Sequence, residues 1–296
     1  MMIAAKVHFY FKVLQFLMRG KVVQPNDITA DYNRLSPTYD EFFSRYVGKH
    51  SRNLIEKMNL RKGSRVLDLA SGTGTLTLAI AEQVGPTGTV IGIDRSRGMI
   101  NVAEDKAESL GLKNIRFVKG DISDAVESFP DESFDAVTCG WAIGYVDPDK
   151  LLKTIKLKLK RGGKVGLIEN RRKTLESIRR TCMRVAQTYP RHMNNVMDLH
   201  FRLPRNKSHL NRLFRSARLK PLRNWEGEER FLFNNGAEVL DWVLHTGASA
   251  GFDKMMSCEI KPQCDECFVR YIEEDFMKDG SIEVAHCFAA GMAEKG

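Results

Sequence analysis

The stretch VLDLASGTGTLT, residues 66–77, decides the fold. Val66, Leu67 and Leu69 make a short apolar run that reads as a buried strand, with Asp68 near its end. Ser71-Gly72-Thr73-Gly74 then turns the chain into TLTLAIAEQV, whose Leu76, Leu78, Ile80 and Val84 suit a helix packed on a sheet. Glycine in such a turn lets the backbone come within contact distance of a ligand. The start of the helix adds N–H groups that have no partner of their own. A dinucleotide fingerprint, G-x-G-x-x-G, needs a third glycine where this chain has Thr77. The pyrophosphate reading therefore lacks one of its glycines, and nothing in that fingerprint asks for Asp68.

Outward from the loop the pattern repeats. TVIGID (89–94) is a second apolar strand ending in Asp94, and IRFVKGDI (115–122) a third ending in Asp121. SFDAVTCGWAIGYV (133–146) is a fourth and GGKVGLIEN (162–170) a fifth. The helical segments SRGMINVAEDKAESLG and PDKLLKTIKLKLK lie between them. Strands alternating with helices, with polar residues at the strand ends, predict an α/β fold: a doubly wound parallel sheet that binds its ligand beyond those ends. An acidic residue about 20 positions after the glycine loop suits the two hydroxyls of a ribose, which is the place of Asp94. Asp121 has the chemistry to accept from an adenine amino group. Asp94 and Asp121 also suit helix caps, so the three aspartates in register carry more than any one of them.

This order of motifs resembles the class I S-adenosylmethionine-dependent methyltransferases. VLDLASGTG, VIGID, KGDI, the VTCGW strand end and LKRGGKVGLIE carry the resemblance over residues 27 to 170. Within that superfamily the nearest branch is the ubiquinone/menaquinone-biosynthesis C-methyltransferases. The shared features are Ala70 after Asp68-Leu69, the 26 residues from Asp68 to Asp94, the upstream pair Tyr39-Asp40 and the closing AHCFAAGMAEK (285–295). The resemblance implies a Rossmann-like, seven-stranded, mostly parallel sheet with helices on both faces and S-adenosyl-L-methionine as cofactor. It also implies roles: Asp68 and Ser71, Gly72, Thr73 and Gly74 around the methionine part, Asp94 on the ribose with Arg95 beside it, Met99 against the adenine, and Asp121 with Ile122 on the adenine edge. Gly140 and Trp141 would sit at the strand end beside the methyl group. The chain departs from the branch at Ile143-Gly144-Tyr145, where quinone-branch members carry Leu-Arg-Asn in the segment facing the substrate.

Methyl transfer from a sulfonium is an in-line displacement at an activated carbon, so orientation and exclusion of water supply much of the acceleration. A carbon or phenolic acceptor also needs a group that takes its proton. Tyr39, placed by the family-like motif, and Tyr145, just past the fourth strand, are the candidate catalytic residues; His200, His245 and His286 are further possibilities.

Composition sets the frame. A chain of 296 residues, 43% apolar, buries a sizeable core in one large domain. Residues 1–26 are expected to form a helical arm on a methyltransferase domain of residues 27–296, with a basic helical cap inserted at 171–218. In the arm, Val7, Tyr10, Phe11, Leu14, Leu17 and Met18 recur at helical spacing, with Lys6, Lys12, Gln15 and Arg19 largely opposite. Such a helix lies in a membrane interface or covers the protein's own pocket. Lysines and an arginine interrupt its apolar stretches, which argues against a signal peptide and for a cytoplasmic protein.

Net charge is +9, but residues 171–223 carry 15 Lys/Arg against two acids, leaving the rest of the chain mildly acidic. Anionic lipid, an acidic substrate and nucleic acid all attract such a block; without a recognisable RNA-binding module, nucleic acid is the least favoured partner. Six cysteines, 139, 182, 258, 264, 267 and 287, read as reduced thiols, and Cys264-Asp-Glu-Cys267 lacks the second close pair that a structural zinc needs. No metal is expected. Beyond the basic block, PLRNWEGEERFLF reads as a strand, NNGAEVLDWVLHTGASAGF as a helix started by Asn235 and ended near Gly247 or Gly251, CDECFVRYIEEDFMK as another helix, and SIEVAHCFAAGMAEK as the last strand. The expected activity is methyl transfer to a small lipophilic or aromatic acceptor such as a quinone precursor. Phospholipid or natural-product N/O-methylation, RNA methylation and a cofactor-binding partner without turnover are the alternatives.

Overall fold

A computed structural model describes residues 2–23, 28–197, 202–250 and 252–296; His200 falls outside them. The strands are β1 (Val22–Val23), β2 (Arg65–Leu69), β3 (Thr89–Asp94), β4 (Ile115–Lys119) and β5 (Phe134–Gly140). They continue as β6 (Leu159–Asn170), β7 (Val196–Met197), β8 (Lys220–Phe233), β9 (Met277–Lys278) and β10 (Ser281–Glu294). The helices are α1 (Met2–Met18), α2 (Thr29–Leu35), α3 (Arg45–Met58), α4 (Thr75–Val84), α5 (Arg97–Ser109) and α6 (Ile122–Ser128). After them come α7 (Pro148–Lys158), α8 (Glu176–Thr188), α9 (Lys207–Ser216), α10 (Gly236–Leu244), α11 (Phe252–Met255) and α12 (Lys261–Phe276).

The main sheet runs β4-β3-β2-β5-β6-β10-β8, the seven strands expected, with the two-residue β9 added beside β10. β4, β3, β2, β5 and β6 pair in parallel, and β10 pairs antiparallel with β6. Alternation along the strands divides the core. Leu67, Leu69, Val137, Val165 and Leu167 face a cluster completed by α6, α7 and α9, while Val66, Ala136 and Ile168 face Leu54, Ile55 and Met58 of α3 and Ile80 of α4. Both faces are therefore covered by helices, as a parallel sheet requires.

The chain divides into two compact units. The second, residues 32–172, 199–227 and 287–296, contains the glycine loop and the parallel strands. The first collects residues 1–31, 173–198 and 228–286. The basic stretch 171–218 is divided between them: α8 falls in the first unit and α9 in the second. Within the first unit α8 packs on α12; Arg184 donates to Glu274 at 2.6 Å and Asp275 at 2.9 Å and lies 3.8 Å above the Tyr271 ring. Short parallel pairing joins β1 to β7.

Candidate active site

The glycine loop is held from several sides within the second unit. Fully buried Asp68 accepts from Thr77 Oγ1 at 2.5 Å and from Thr138 Oγ1 at 2.7 Å. Burial raises its carboxyl to about 6, against the pull of those two bonds. Thr77, the residue that breaks the dinucleotide fingerprint, thus ties the first turn of α4 to β2. Asp94 accepts from the Gly72 N–H through Oδ2 and from the Ser96 N–H through Oδ1, each at 2.8 Å. Burial raises the Asp94 carboxyl, and the backbone bonds oppose that rise. The Ser71 N–H donates to Ile93 O at 2.8 Å, seating the loop on the end of β3.

Residues ahead of the sheet supply the next contacts. Asp40 accepts from Thr73 Oγ1 at 2.5 Å and from Lys106 Nζ at 2.6 Å. Burial alone would raise the Asp40 carboxyl, yet these donors hold it below the usual carboxylate range. Asn33 Oδ1 accepts from Ser96 Oγ at 2.7 Å and from the Gly98 N–H at 3.0 Å. That approach depends on Gly98, where a Cβ would lie 2.6 Å from Ser36 Oγ.

Further round, Met99 and Ile122 are buried. Asp121 caps α6 by accepting from Ser123 N at 2.7 Å, and its other oxygen accepts from Arg95. Burial would raise the Asp121 carboxyl, and the Arg95 guanidinium overrides it and holds the group low. The third strand accordingly stops at Lys119, with Asp121 serving the following helix. Gly140 ends β5 where a Cβ would meet Leu76 Cδ1 at 2.4 Å. Trp141 takes a left-handed backbone, φ 58°, and its indole N–H donates to Ser51 Oγ at 3.0 Å.

An aromatic cluster surrounds this strand end. Tyr145, on the tight turn Ile143–Tyr145, shares a 2.7 Å hydrogen bond with the Tyr32 hydroxyl. Tyr39 lies 6.1 Å from Tyr32 and 5.2 Å from Phe43 between ring centres, and Phe43 lies 6.2 Å from Trp141. Burial pushes Tyr145 up to about 12 and raises Tyr32 and Tyr39 as well. All three hydroxyls therefore stay protonated at neutral pH. Beneath the turn, Glu169 is buried at the end of β6 and accepts from Asn170 N at 2.6 Å and Gly144 N at 3.2 Å. Burial lifts its carboxyl to about 7, while backbone bonds from Asn170, Gly144 and Ile143 oppose the rise.

The sequence-predicted residues Tyr39, Asp68, Ser71, Gly72, Thr73, Gly74, Asp94 and Tyr145 thus gather on the second unit. His245 and His286 belong to the first unit. Sequence reasoning missed Tyr32, Asn33, Lys106 and Glu169. Glu169 had a signal: it is the polar end of VGLIEN, just as Asp94 is the polar end of TVIGID.

Relatives fit this geometry. A family model described as a methyltransferase domain matches residues 60–218. The demethylmenaquinone methyltransferase of Lactobacillus johnsonii is 35% identical over 169 residues, covering 55% of this chain and 68% of its own. That of Geobacillus stearothermophilus is 36% identical over 155 residues, covering 52% of this chain and 64% of its own. In fold, a Bacillus halodurans C-125 protein assigned as a methyltransferase superposes with a TM-score of 0.55 at 21% identity, over 82% of this chain and 98% of that one. The chain belongs to the methyltransferase-domain family. It is an S-adenosylmethionine-dependent methyltransferase of the class I fold.

Proposed function

We propose that this enzyme methylates a hydroxylated aromatic ring on a lipophilic small molecule, a demethylated quinol being the type of acceptor. The Tyr32–Tyr145 hydroxyl pair in its aromatic surround carries this reading. One hydrogen of the pair is used in the mutual bond, and the other is left to donate. A phenolate oxygen accepting it is stabilised while its charge is shared with the ring carbon that takes the methyl group. The neighbouring rings of Tyr39, Phe43 and Trp141 suit a flat apolar acceptor and exclude water. The names of the curated relatives support a quinone-type acceptor.

Two observations support the fit of the cofactor to the loop. Ser71 Oγ is buried without a hydrogen-bond partner, and nothing lies within 4 Å of a Cβ built on Gly72. On our reading Ser71, Gly72, Thr73 and Gly74 hold the methionyl end, with Asp68 fixing the turn behind them. Asp94 takes the ribose. Met99, Arg95, Asp121 and Ile122 take the adenine, and Gly140 and Trp141 border the methyl group. Bound S-adenosylmethionine supplies a methyl group already activated by its sulfonium. Tyr145 and Tyr32 orient the acceptor, with Tyr39 completing the wall, and Glu169 holds the turn that carries Tyr145.

In domain terms, we read residues 27–296 as the methyltransferase body, residues 1–26 as an arm and 171–218 as cap material. The same reading places the enzyme at an anionic membrane surface on the cytoplasmic side, where a lipophilic acceptor is dissolved. The test is transfer of labelled methyl from S-adenosylmethionine to quinol and amine acceptors in parallel. Turnover of the quinol that falls with the change Tyr145→Phe supports the reading, and turnover of amines alone sinks it.

A further inference from the structure

Helix α1 is bound to the first unit by one side only. Phe9 and Phe16 are buried, at 4% and 5% exposure. Lys12 between them points inward, its Nζ donating to Arg191 O at 2.7 Å and Met193 O at 3.1 Å. The side chains expected to form the apolar face lie elsewhere. Tyr10, Phe11, Leu14, Leu17 and Met18 are 62%, 65%, 55%, 52% and 73% exposed. Positions 10, 11, 14, 17 and 18 fall on one helical face, so these five form a stripe. Single exposed apolar residues are ordinary on a soluble surface, whereas a contiguous stripe marks a binding face.

Charge selects the occupant. Residues 2–21 carry Lys6, Lys12, Arg19 and Lys21 and no acid; Arg19 is exposed and follows Leu17 and Met18 in the chain, while exposed Lys21 lies 5.9 Å over the Phe16 ring. A second copy of the same helix would bring cations against cations. A free polyanion would leave the apolar stripe in water. An anionic bilayer satisfies both features, with the stripe at the acyl boundary and the cations among the phosphates. At 17 residues the helix lies along such a surface, and among the described residues no helix is long and apolar enough to cross it.

We infer that the stripe Tyr10, Phe11, Leu14, Leu17 and Met18, with Arg19 at its end, docks the enzyme flat on an anionic lipid bilayer. The inference rests on the membrane placement proposed above and names the surface responsible for it. The buried anchors Phe9, Lys12 and Phe16 keep the stripe turned outward, so docking needs no refolding of the unit.

The test is flotation of the full chain with vesicles of phosphatidylglycerol and phosphatidylcholine in equal parts, and of phosphatidylcholine alone. The expected result is capture by the anionic vesicles and weak capture by the neutral ones. Combining Phe11→Asp with Leu14→Asp lowers anionic partitioning about a hundredfold, and Arg19→Glu about fivefold. Both variants keep the wild-type affinity for S-adenosylmethionine and the wild-type Tm. Should the double variant lose Tm, Leu17→Asp carries the apolar arm of the test. A wild-type chain that stays unbound overturns the inference, as does a stripe variant that floats like wild type. Concentration-dependent dimers broken by Phe11→Asp, without vesicle binding, overturn it in favour of a second copy. Vesicle binding without methyl transfer to quinols overturns the acceptor reading alone, and transfer without vesicle binding overturns this inference alone.

Discussion

The glycine loop and helix α1 are both sequence patterns of high contrast, yet they solve opposite problems. In the loop several polar groups are engaged by segments distant in sequence. Asp68 meets Thr138, Gly72 meets Asp94, and Thr73 meets Asp40. In α1 the five apolar side chains of the stripe are each more than half exposed. A motif whose chemistry needs several groups at once fixes where each must be. Helical periodicity fixes only which residues share a face, and says nothing of what that face meets.

The sharpest way to break this contrast is at Asp94. Its carboxylate bridges the loop and the start of α5, accepting from Gly72 and Ser96. Asp94→Ala removes a charged acceptor from two part-buried N–H groups as well as the ribose contact proposed for it. The expected loss in S-adenosylmethionine affinity is about a hundredfold, from roughly 3 kcal/mol for hydrogen bonds to a charged group. Calorimetric titration reads it, and unchanged affinity would remove Asp94 from the site. No such loss is expected from the α1 variants.

Next in size is Tyr145→Phe. The ring remains in the aromatic cluster while the donor shared with Tyr32 disappears. A fall in kcat of about tenfold to a hundredfold is expected on a phenolic acceptor, at or below the low end of the roughly hundredfold-to-thousandfold loss for an oxyanion donor, because the Tyr32 hydroxyl remains. S-adenosylmethionine affinity stays put, so the effect separates the acceptor side from the cofactor side. An equal fall in cofactor affinity would mean that Tyr145 shapes the whole cleft.

Glu169 gives a pH signature. Burial lifts its folded carboxyl to about 7, above the ordinary glutamate value. The folded chain therefore holds that proton more tightly than the unfolded one. Its contribution to stability is fully present below the unfolded value and is lost as pH rises through about 7. Asp68, raised to about 6, acts with the same sign slightly lower on the scale. Glu169→Gln cannot titrate, so its Tm relative to wild type climbs between pH 6 and 8, as thermal melts across that window would show. A Tm difference independent of pH would mean that the carboxyl is ionised throughout. Methyl transfer falls about tenfold, because Gln offers only one acceptor oxygen to the amides of Gly144 and Asn170.

What the sequence made legible follows the same division. The strand-loop-helix order, the parallel sheet and the aspartates at strand ends were readable, because local spacing and strand alternation dictate them. Asn235 was readable as a helix start, and it caps α10 through Glu238 N. Tyr32 was not readable, since its value lies in a hydrogen bond to a residue 113 positions away. Asn33 likewise acts on Ser96, 63 positions on. Helical spacing puts Tyr10, Phe11, Leu14, Leu17 and Met18 on one face of α1 (the side chain of Val7, expected with them, lies outside the described ones), but the direction of that face depends on the burial of Phe9 and Phe16 and on the bonds of Lys12 to Arg191 O and Met193 O. No helical pattern contains that information.

The smallest effect tests whether the loop is strained. Ala70 holds φ at 56°, in the left-handed region that favours glycine. A left-handed alanine costs about 1–2 kcal/mol, which Ala70→Gly would relieve. Against that, glycine releases more backbone freedom on unfolding, about 0.5–1 kcal/mol. The Ala70 methyl also packs against the cluster around Leu69 and Val118 and is lost with the change. These terms nearly cancel, so the variant should stay within about 1 kcal/mol of wild type in urea unfolding and bind S-adenosylmethionine normally. A gain near the upper end would show that the loop stores strain its hydrogen bonds must overcome. A loss beyond about 1 kcal/mol would show that the methyl's packing outweighs its backbone cost, and that residue 70 belongs to the core more than to the turn.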